Sequence, residues 1–313
     1  MSKIRIVFMG TPDFAVPCLD ALIREEYEVV AVVTQPDRPK GRGQKLSQSP
    51  VKQAAIAYGL PVMQPDRVRD ALFQEELRSL KPDIIIVVAF GQLLPKELLE
   101  LPSLGCINVH ASLLPLYRGA APIHRAIIEG NKVTGITTMY MDIGMDTGDM
   151  ILKKAVEIQE EETTGELHDR LKEIGADVLS ETIKLIVEKK VPRTMQEHEA
   201  ATYAPMLTRE IERMDWSKSA TAIHNLVRGL NPWPGAYCTY QNKILKVWKA
   251  RLYPAGSDVT HPGRIAELTA EGFVVETGQG MLEIQEVQPA SKRRMLAKDF
   301  ICGYGLRIGD ILE

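Results

Sequence analysis

Apolar and polar positions along the first half of the chain alternate between strand-like and helix-like patterns. Continuous apolar runs rich in β-branched residues occupy residues 4–10, 28–34 and 83–90. Unbroken runs of this kind are typical of strands buried on both faces of a parallel sheet. Amphipathic stretches at residues 13–26 and 49–59 separate them, and Ser49 and Pro50 suit a helix N-cap and first helical position. This alternation predicts βαβ units.

The same pattern continues to the middle of the chain. Residues 105–110 and 135–141 match two further strands, and residues 164–190 match a long helix. The apolar residues on one side of that helix are Leu167, Leu171, Ile174, Val178, Ile183 and Ile186. We therefore predict that residues 1–190 form an α/β domain, with a Rossmann-like, mostly parallel sheet and helices on both faces.

The pattern changes after this helix. Residues 191–207 follow neither a helical nor a strand period and are rich in polar residues and turn formers, which predicts a linker. After a helix that carries Ile223 and Leu226, short strands spaced by Gly and Pro follow between residues 236 and 291. We predict a second domain at residues 208–313, a small β-barrel of the OB type.

Composition narrows the functional classes. The chain has 313 residues and a net charge of −3, which argues against a protein that binds polyanions over its whole surface. Residues 207–313 hold 14 Lys and Arg against 12 Asp and Glu, a net charge of +2, which leaves 24 against 29, a net charge of −5, for residues 1–206. Any contact with nucleic acid is therefore expected to be local. No apolar run reaches the length of a membrane span, and residue 4 already begins a strand pattern, so we expect a cytoplasmic protein.

Two common kinds of site find no support. The four cysteines form no Cys-x-x-Cys pair or zinc-like spacing, so we predict reduced thiols in the core and no metal site: Cys18, Cys106, Cys238 and Cys302. Residues 10–14, GTPDF, follow the first strand but lack the Gly-x-Gly-x-x-Gly pattern, which argues against a nicotinamide dehydrogenase.

One group of polar residues has the composition of a catalytic site. Asn108 and His110 leave the same face of a predicted strand at its carboxyl end, because side chains two positions apart share a face. A Gly-broken loop at residues 141–149 follows a later strand and carries three aspartates, among them Asp146. A carboxylate beside an imidazole favours its protonated form and fixes its orientation, so His110 and Asn108 are candidate donors to a developing oxyanion. The alternative is that both are hydrogen-bonded structural groups at a strand end.

These residues also carry a family resemblance. Residues 108–123, NVHASLLPLYRGAAPI, together with DIGMDTGD at residues 142–149, resemble the signature of the 10-formyltetrahydrofolate-dependent formyltransferases. Further stretches extend the resemblance over nearly the whole chain: GTPDFAVPCLDAL from residue 10, TQPDRPKGRGQKLSQSPVK from residue 34, LNPWPGAY from residue 230 and SKRRMLAKDF from residue 291.

The resemblance implies an activity and a set of site residues. The co-substrate would be 10-formyltetrahydrofolate, and the acceptor the methionine amine of methionyl-initiator tRNA. Asn108 and His110 would hold the oxyanion while Asp146 orients His110 and helps to move the proton. Part of the folate site would be lined by Ser112, Leu113, Leu114 and Pro115. Residues 87–95 would form another wall, although a core strand followed by a turn explains them equally well.

Two basic segments are candidates for contact with RNA. Pro and Gly at residues 36, 39, 41 and 43 are expected to prevent regular structure in residues 35–49, which carry Arg38, Lys40, Arg42 and Lys45. A basic flexible loop suits an RNA groove or stem end, the resemblance favours that role, and Arg42 is the first choice. In the tail, phosphate contacts are expected from Lys292, Arg293, Arg294 and Lys298. In both segments the alternative is a merely solvated basic turn.

Three functions stay open at this point. The first is formylation of methionyl-initiator tRNA, by an enzyme that we expect to be a monomer. The second keeps the chemistry but uses a small amine, either glycinamide ribonucleotide or an amino-sugar nucleotide. The third is a catalytically silent RNA-binding protein that kept the fold, and the intact set of Asn108, His110 and Asp146 argues against it.

Overall fold

The structure is a computed structural model that describes residues 3–40, 45–254 and 261–313. The elements up to residue 204 are β1 (Arg5–Gly10), α1 (Val16–Arg24), β2 (Glu28–Val33), β3 (Arg38–Lys40), β4 (Lys45–Ser47), α2 (Pro50–Ala57), β5 (Val62–Met63), α3 (Ala71–Ser79), β6 (Ile84–Val88), α4 (Lys96–Leu99), β7 (Cys106–His110), β8 (Arg118–Gly119), α5 (Pro122–Ile128), β9 (Val133–Tyr140), β10 (Met150–Glu157), α6 (Thr164–Val187) and β11 (Tyr203–Ala204). The remaining elements are α7 (Ala220–Gly229), β12 (Ala236–Tyr240), β13 (Lys243–Tyr253), β14 (Ile265–Leu268), β15 (Phe273–Glu276), β16 (Met281–Pro289), β17 (Met295–Leu296) and α8 (Ala297–Tyr304).

The predicted parallel-dominated sheet is confirmed. Among the described residues, seven strands pair in the order β10-β9-β7-β6-β1-β2-β5. Strands β1, β2, β5, β6 and β7 run parallel, whereas β9 pairs antiparallel to β7. The carboxyl ends of the parallel strands therefore lie along one edge of the sheet, where ligands bind in open α/β sheets.

Packing follows the strand period. Alternate residues of three neighbouring strands share one core cluster, which comprises Val7 and Met9, Ala31 and Val33, and Ile85 and Val87. Phe73 and Leu77, one turn apart on α3, pack in the same cluster. Helix α3 thus covers one apolar face of the sheet.

The helix boundaries agree with the capping signals. The Ser49 hydroxyl accepts a hydrogen bond from the backbone nitrogen of Lys52 at 3.0 Å, and Pro50 begins α2. Helix α1 begins at Val16 after a 3-10 turn at residues 13–15, and α6 ends at Val187, three residues before the predicted end. The predicted helices at these positions are confirmed.

The expectation that residues 35–49 lack regular structure is wrong. Strands β3 and β4 pair antiparallel, with Arg38 opposite Ser47 and Pro39 opposite Leu46. Both strands of a two-stranded ladder are edge strands, and an edge strand accommodates a proline. Residues 41–44 between the strands, including Arg42, lie outside the described residues.

The second part of the chain is a separate antiparallel β domain, as predicted. Strands pair in the order β12-β13-β16-β15-β14, with β17 beside β16. Its core joins Trp216 and Ile223 to apolar residues of the strands and to Phe300 of α8. The chain divides into two compact units, residues 1–122, 134–157 and 168–204 in one, and residues 123–133, 158–167 and 205–313 in the other. The predicted bounds at 190 and 207 stay a prediction.

Two further findings concern membrane spans and thiols. In the part of the chain that the structure describes, no helix has the length and apolarity needed to cross a bilayer. Three cysteines are buried, and burial raises the pKa of the Cys106 and Cys238 thiols to about 12. The prediction of core thiols is wrong for Cys302, which is exposed on the two-turn helix α8.

Candidate active site

Strand β7 brings two polar side chains to the carboxyl edge of the sheet. Asn108 lies opposite Val87 of β6, and His110 lies opposite Thr137 of β9. The intervening residue, Val109, is buried, as expected for the other face of the strand. His110 is buried and Asn108 is half-buried, so an amide and an imidazole share one small region at the end of the strand.

The loop between β9 and β10 carries Asp146. The Asp142 carboxylate fixes the first part of the loop by accepting hydrogen bonds from the backbone nitrogen of Gly144 at 3.0 Å and from the Thr147 hydroxyl at 2.5 Å. At Gly148 a Cβ atom would lie 1.9 Å from the Tyr140 carbonyl oxygen, so no other residue fits there. Asp146 itself has a φ of +55°, a left-handed conformation that an aspartate tolerates better than most residues. These features fix the loop in a conformation that directs the Asp146 carboxylate toward Asn108 and His110 of β7.

The structure brings the three predicted catalytic side chains together. The Asn108 amide donates to Asp146 Oδ1 at 3.3 Å, and His110 Nδ1 lies 3.7 Å from Asp146 Oδ2. The backbone nitrogen of Gly119 donates to the same Oδ2 at 2.8 Å. An amide, an imidazole and a carboxylate from two separate segments therefore converge.

The two ring nitrogens of His110 have different surroundings. Nε2 lies 3.0 Å from the Tyr117 carbonyl oxygen, which only accepts hydrogen bonds, so Nε2 carries a hydrogen. The 3.7 Å between Nδ1 and Asp146 exceeds hydrogen-bond length, although a water or a substrate oxygen can bridge such a distance. Nδ1 is therefore the nitrogen that remains for substrate chemistry.

The segment predicted to line the folate site folds as a tight turn after β7. The Ser112 hydroxyl donates to the Leu116 carbonyl at 2.6 Å, and Thr137 binds both the carbonyl of Ser112 and the backbone nitrogen of Leu114. Ser112 and Leu114 are buried, whereas Leu113 and Pro115 are half-buried. At an exposed fraction of 0%, Ser112 and Leu114 present neither side chain nor backbone at the surface. The role of the four residues stays a prediction.

Three groups at the site were not singled out from the sequence. Gly119 has a φ of +116°, and a Cβ atom there would lie 2.9 Å from the Ala204 carbonyl oxygen, so glycine is needed for its N–H to reach Asp146. Arg118 is buried and donates through Nε and Nη2 to Gln196 Oε1 at 3.1 and 2.7 Å. The Gln196 amide nitrogen in turn donates to the carbonyl oxygens of Asp146 and Gly148, each at 2.8 Å. Arg118 and Gly119 stand inside the family motif, but Gln196 lies in the predicted linker, where no local pattern marks it.

The basic residues predicted to contact RNA lie on the surface as far as they are described. Arg38 and all four basic residues of the tail are exposed, and the guanidinium of Arg294 lies 3.5 Å from the centre of the Trp248 ring. The side chains of Lys40 and Lys45, like Arg42, lie outside the described residues. A hydrogen bond from Lys52 is the main cause that lowers the pKa of Asp37, the single acid of residues 35–49. A neighbouring cation therefore offsets the negative charge of this segment.

One group of side chains has the donor atoms of a metal site. Asp13, His168 and Asp169 each place one such atom within 4.8 Å of the others. The Lys172 ammonium donates to Asp169 at 2.7 Å, and both aspartates are exposed. Since exposed acids with a lysine partner are ordinary surface groups, we assign no metal to them.

Comparison with known proteins identifies the family. Residues 3–183 match the formyl transferase family and residues 206–305 match the formyl transferase C-terminal domain. A methionyl-tRNA formyltransferase of Clostridioides difficile is 54% identical over 98% of this chain and 99% of the relative, and one of Bacillus licheniformis is 51% identical over 97% and 96%. The chain belongs to the methionyl-tRNA formyltransferase family. As a member of this family it is a formyl-transferring enzyme that uses a folate-type substrate.

Two solved structures share the fold of this chain. An N-formyltransferase of Helicobacter canadensis, in complex with folinic acid and dTDP-3-aminofucose, has a TM-score of 0.69 at 20% identity and covers 90% of this chain and 99% of its own. HypX of Aquifex aeolicus in complex with tetrahydrofolic acid has a TM-score of 0.66 at 17% identity and covers 99% of this chain and 49% of its own. At these identities the likeness concerns the fold alone.

Proposed function

We propose that this chain transfers the formyl group of 10-formyltetrahydrofolate to the methionine amino group of methionyl-initiator tRNA. The observation that carries the proposal is the convergence of Asn108, His110 and Asp146 at the carboxyl end of β7. The similarity to methionyl-tRNA formyltransferases over 98% of the chain supports tRNA as the acceptor.

The reaction needs one bond made, one broken and one proton moved. The amine nitrogen attacks the formyl carbon, and the carbonyl electrons move to oxygen as a tetrahedral oxyanion forms. The bond from the formyl carbon to N10 of the folate then breaks as the carbonyl re-forms. The proton lost by the amine passes to the leaving nitrogen, so the products are formylmethionyl-tRNA and tetrahydrofolate.

The side chains suit these steps. The Asn108 amide has two hydrogens and spends one on Asp146, so the second is available to the oxyanion. With Nε2 already carrying a hydrogen, His110 donates to the oxyanion through Nδ1 as the protonated, positive imidazolium, which the Asp146 carboxylate stabilises. Asp146 also helps to carry the proton from the amine to N10, directly or through a water in the gap beside Nδ1.

The turn at residues 112–115 holds the folate within reach of these donors. Thr137 and the Lys153 ammonium, which donates to the Leu114 carbonyl at 2.6 Å, tie the turn to β9 and β10. Such a fixed turn positions the formyl group within the few ångströms that transfer needs. At the end of β6, Ala89 is exposed and has a φ of +45°, which suits the wall proposed for residues 87–95.

The exposed basic residues supply the contacts with RNA. Arg38 with Lys40, Arg42 and Lys45 contacts the tRNA near the acceptor end, while the basic residues of the tail contact phosphates. Each phosphate neutralised steepens the salt dependence of binding by about 0.7–0.9 in log-log slope. The enzyme acts as a cytoplasmic monomer.

A comparison of acceptors tests the proposal. The purified chain is incubated with 10-formyltetrahydrofolate that carries a labelled formyl group and with methionyl-initiator tRNA, methionyl-elongator tRNA, glycinamide ribonucleotide or an amino-sugar nucleotide. Uncharged initiator tRNA, which lacks the amine, is the control. We expect transfer to methionyl-initiator tRNA above all others. Transfer to a small amine alone would refute the proposal, and no transfer to any acceptor would favour a silent RNA-binding protein.

A further inference from the structure

Gln196 is buried where its sequence neighbours are not. Its exposed fraction is 5%, whereas Met195 beside it is 81% exposed and Glu197 on the other side is exposed too. This arrangement reverses the usual preference, since methionine is among the residues most often buried and glutamine is mostly exposed. A buried amide next to an exposed methionine calls for a specific partner that repays its loss of water.

The partners of Gln196 lie on the loop that carries Asp146. Its amide nitrogen donates to the carbonyl oxygens of Asp146 and Gly148, each at 2.8 Å. These two carbonyls flank Thr147, so the amide holds both ends of a short stretch of backbone. The stretch includes the aspartate with a φ of +55°, a conformation that persists only where its surroundings enforce it.

Arg118 decides which end of the Gln196 amide faces the loop. Its Nε and Nη2 both donate to Gln196 Oε1, at 3.1 and 2.7 Å. Since a guanidinium only donates, it selects the oxygen of the amide and leaves the nitrogen to point at the two carbonyls. Arg118 is itself 2% exposed, and the next residue, Gly119, gives its N–H to the Asp146 carboxylate.

We propose that Gln196 is a positioning residue for formyl transfer. With its amide oriented by Arg118, it fixes the backbone of Asp146 so that the carboxylate meets Asn108 and His110. The inference rests on the proposed function and adds a group to its site from a segment outside the family signature. Gln196 touches neither Asn108 nor His110 in the hydrogen bonds that the structure describes, so it acts through Asp146.

The substitution Gln196→Glu keeps the contact of this side chain with Arg118 and removes its contact with the two loop carbonyls. A carboxylate still accepts from Arg118 but cannot donate, so its oxygens would face the carbonyl oxygens of residues 146 and 148. We expect kcat to fall by about 10- to 100-fold, the loss that a displacement of about 1 Å causes at a reacting group, with little change in KM for either substrate.

The chain offers a matched control in the second compact unit. Asn225 is buried and its Oδ1 accepts from Nε and Nη2 of Arg228 at 3.0 and 2.9 Å, the same amide-to-guanidinium contact. Asn225→Asp makes the same chemical change and should leave kcat as in the wild type. The variant Gln196→Met, which has similar length and no charge, decides the case if Gln196→Glu fails to fold.

The readouts distinguish positioning from a merely structural role. Loss of folded molecules lowers the apparent kcat in proportion to the unfolded fraction, which thermal unfolding measures directly, whereas a displaced Asp146 lowers the kcat of the folded enzyme itself. The inference is overturned if both folded Gln196 variants keep wild-type kcat, or if activity falls only in proportion to the folded fraction. Should the wild type formylate a small amine instead of the tRNA, the proposed acceptor fails and the same variants are compared with that amine. Should it formylate nothing, both proposals fail.

Discussion

Replacing Asp146 with asparagine removes one negative charge while keeping the size of the side chain. The carboxylate accepts from Asn108 Nδ2 and from the backbone nitrogen of Gly119, at 3.3 and 2.8 Å. An asparagine has a single oxygen, so if that oxygen keeps the Gly119 contact, its NH2 group faces the NH2 group of Asn108. The substitution therefore removes a charge beside His110 and turns one hydrogen bond into a clash of donors.

The geometry sets the size of the effect. His110 Nδ1 and Asp146 Oδ2 lie 3.7 Å apart, and the two side chains are 7% and 15% exposed. Two unit charges at this distance attract by about 4 kcal/mol at an effective dielectric constant of about 20, and by about 1 kcal/mol in bulk water. The strong burial of the pair favours the larger figure. Since about 1.4 kcal/mol is tenfold in rate, we expect kcat to fall by about 10²- to 10³-fold.

Steady-state kinetics with both substrates varied measures this loss. Asp146→Asn and His110→Ala should lower kcat far more than they weaken tRNA binding, because both act in the transition state. Asp142→Asn is the matched control. Both hydrogen bonds by which Asp142 fixes the loop end on Oδ1, which an asparagine keeps, so the variant removes the same charge from an exposed residue of the same loop and its kcat should stay close to that of the wild type. Thermal unfolding of each variant establishes that the chain is folded.

Two results would refute the reasoning. Equal losses for Asp146→Asn and Asp142→Asn would mean that the net charge of the loop matters and the position beside His110 does not. If Asp146→Asn or His110→Ala abolished folding, the buried network would be a structural device rather than a catalytic one.

Three further predictions concern other parts of the chain. Arg42→Ala should reduce discrimination between initiator and elongator tRNA without changing kcat, and unchanged selectivity would exclude a role for this residue. A thiol reagent should modify Cys302 rapidly in the native protein and the other, buried cysteines only on unfolding, and Cys302→Ser should abolish the fast phase. Burial raises the pKa of the Glu283 carboxyl. Hydrogen bonds, first that from Thr269, and the positive charge of Arg251 outweigh this effect, so the pKa is lowered below its ordinary value of 4.5. The charged form therefore stabilises the fold above that pH, and the Tm difference between wild type and Glu283→Gln should shrink as the pH falls through the lower, folded-state pKa.

The sequence identified elements whose signals are local. Strands β1, β2 and β6 are unbroken apolar runs, and the Ser49-Pro50 pair marks the start of α2. Strand β10 was not anticipated, because Lys153 and Lys154 interrupt its apolar pattern at the edge of the sheet. The hairpin of β3 and β4 was missed because prolines and glycines favour irregular structure in isolation, whereas pairing of two short strands overrides that preference.

By itself the sequence determined the alternation of strands and helices, the change to an antiparallel β domain and the candidate residues Asn108, His110 and Asp146. Only the tertiary structure decided how these side chains are held. The Gly119 N–H reaches Asp146 across 27 residues, the Arg118 guanidinium reaches Gln196 across 78, and Gln196 reaches the Asp146 carbonyl across 50. Periodicity and capping report on neighbours a few positions apart, so contacts at these separations leave no local pattern. They arise because the sheet aligns the ends of its strands at one edge, where segments distant in sequence meet.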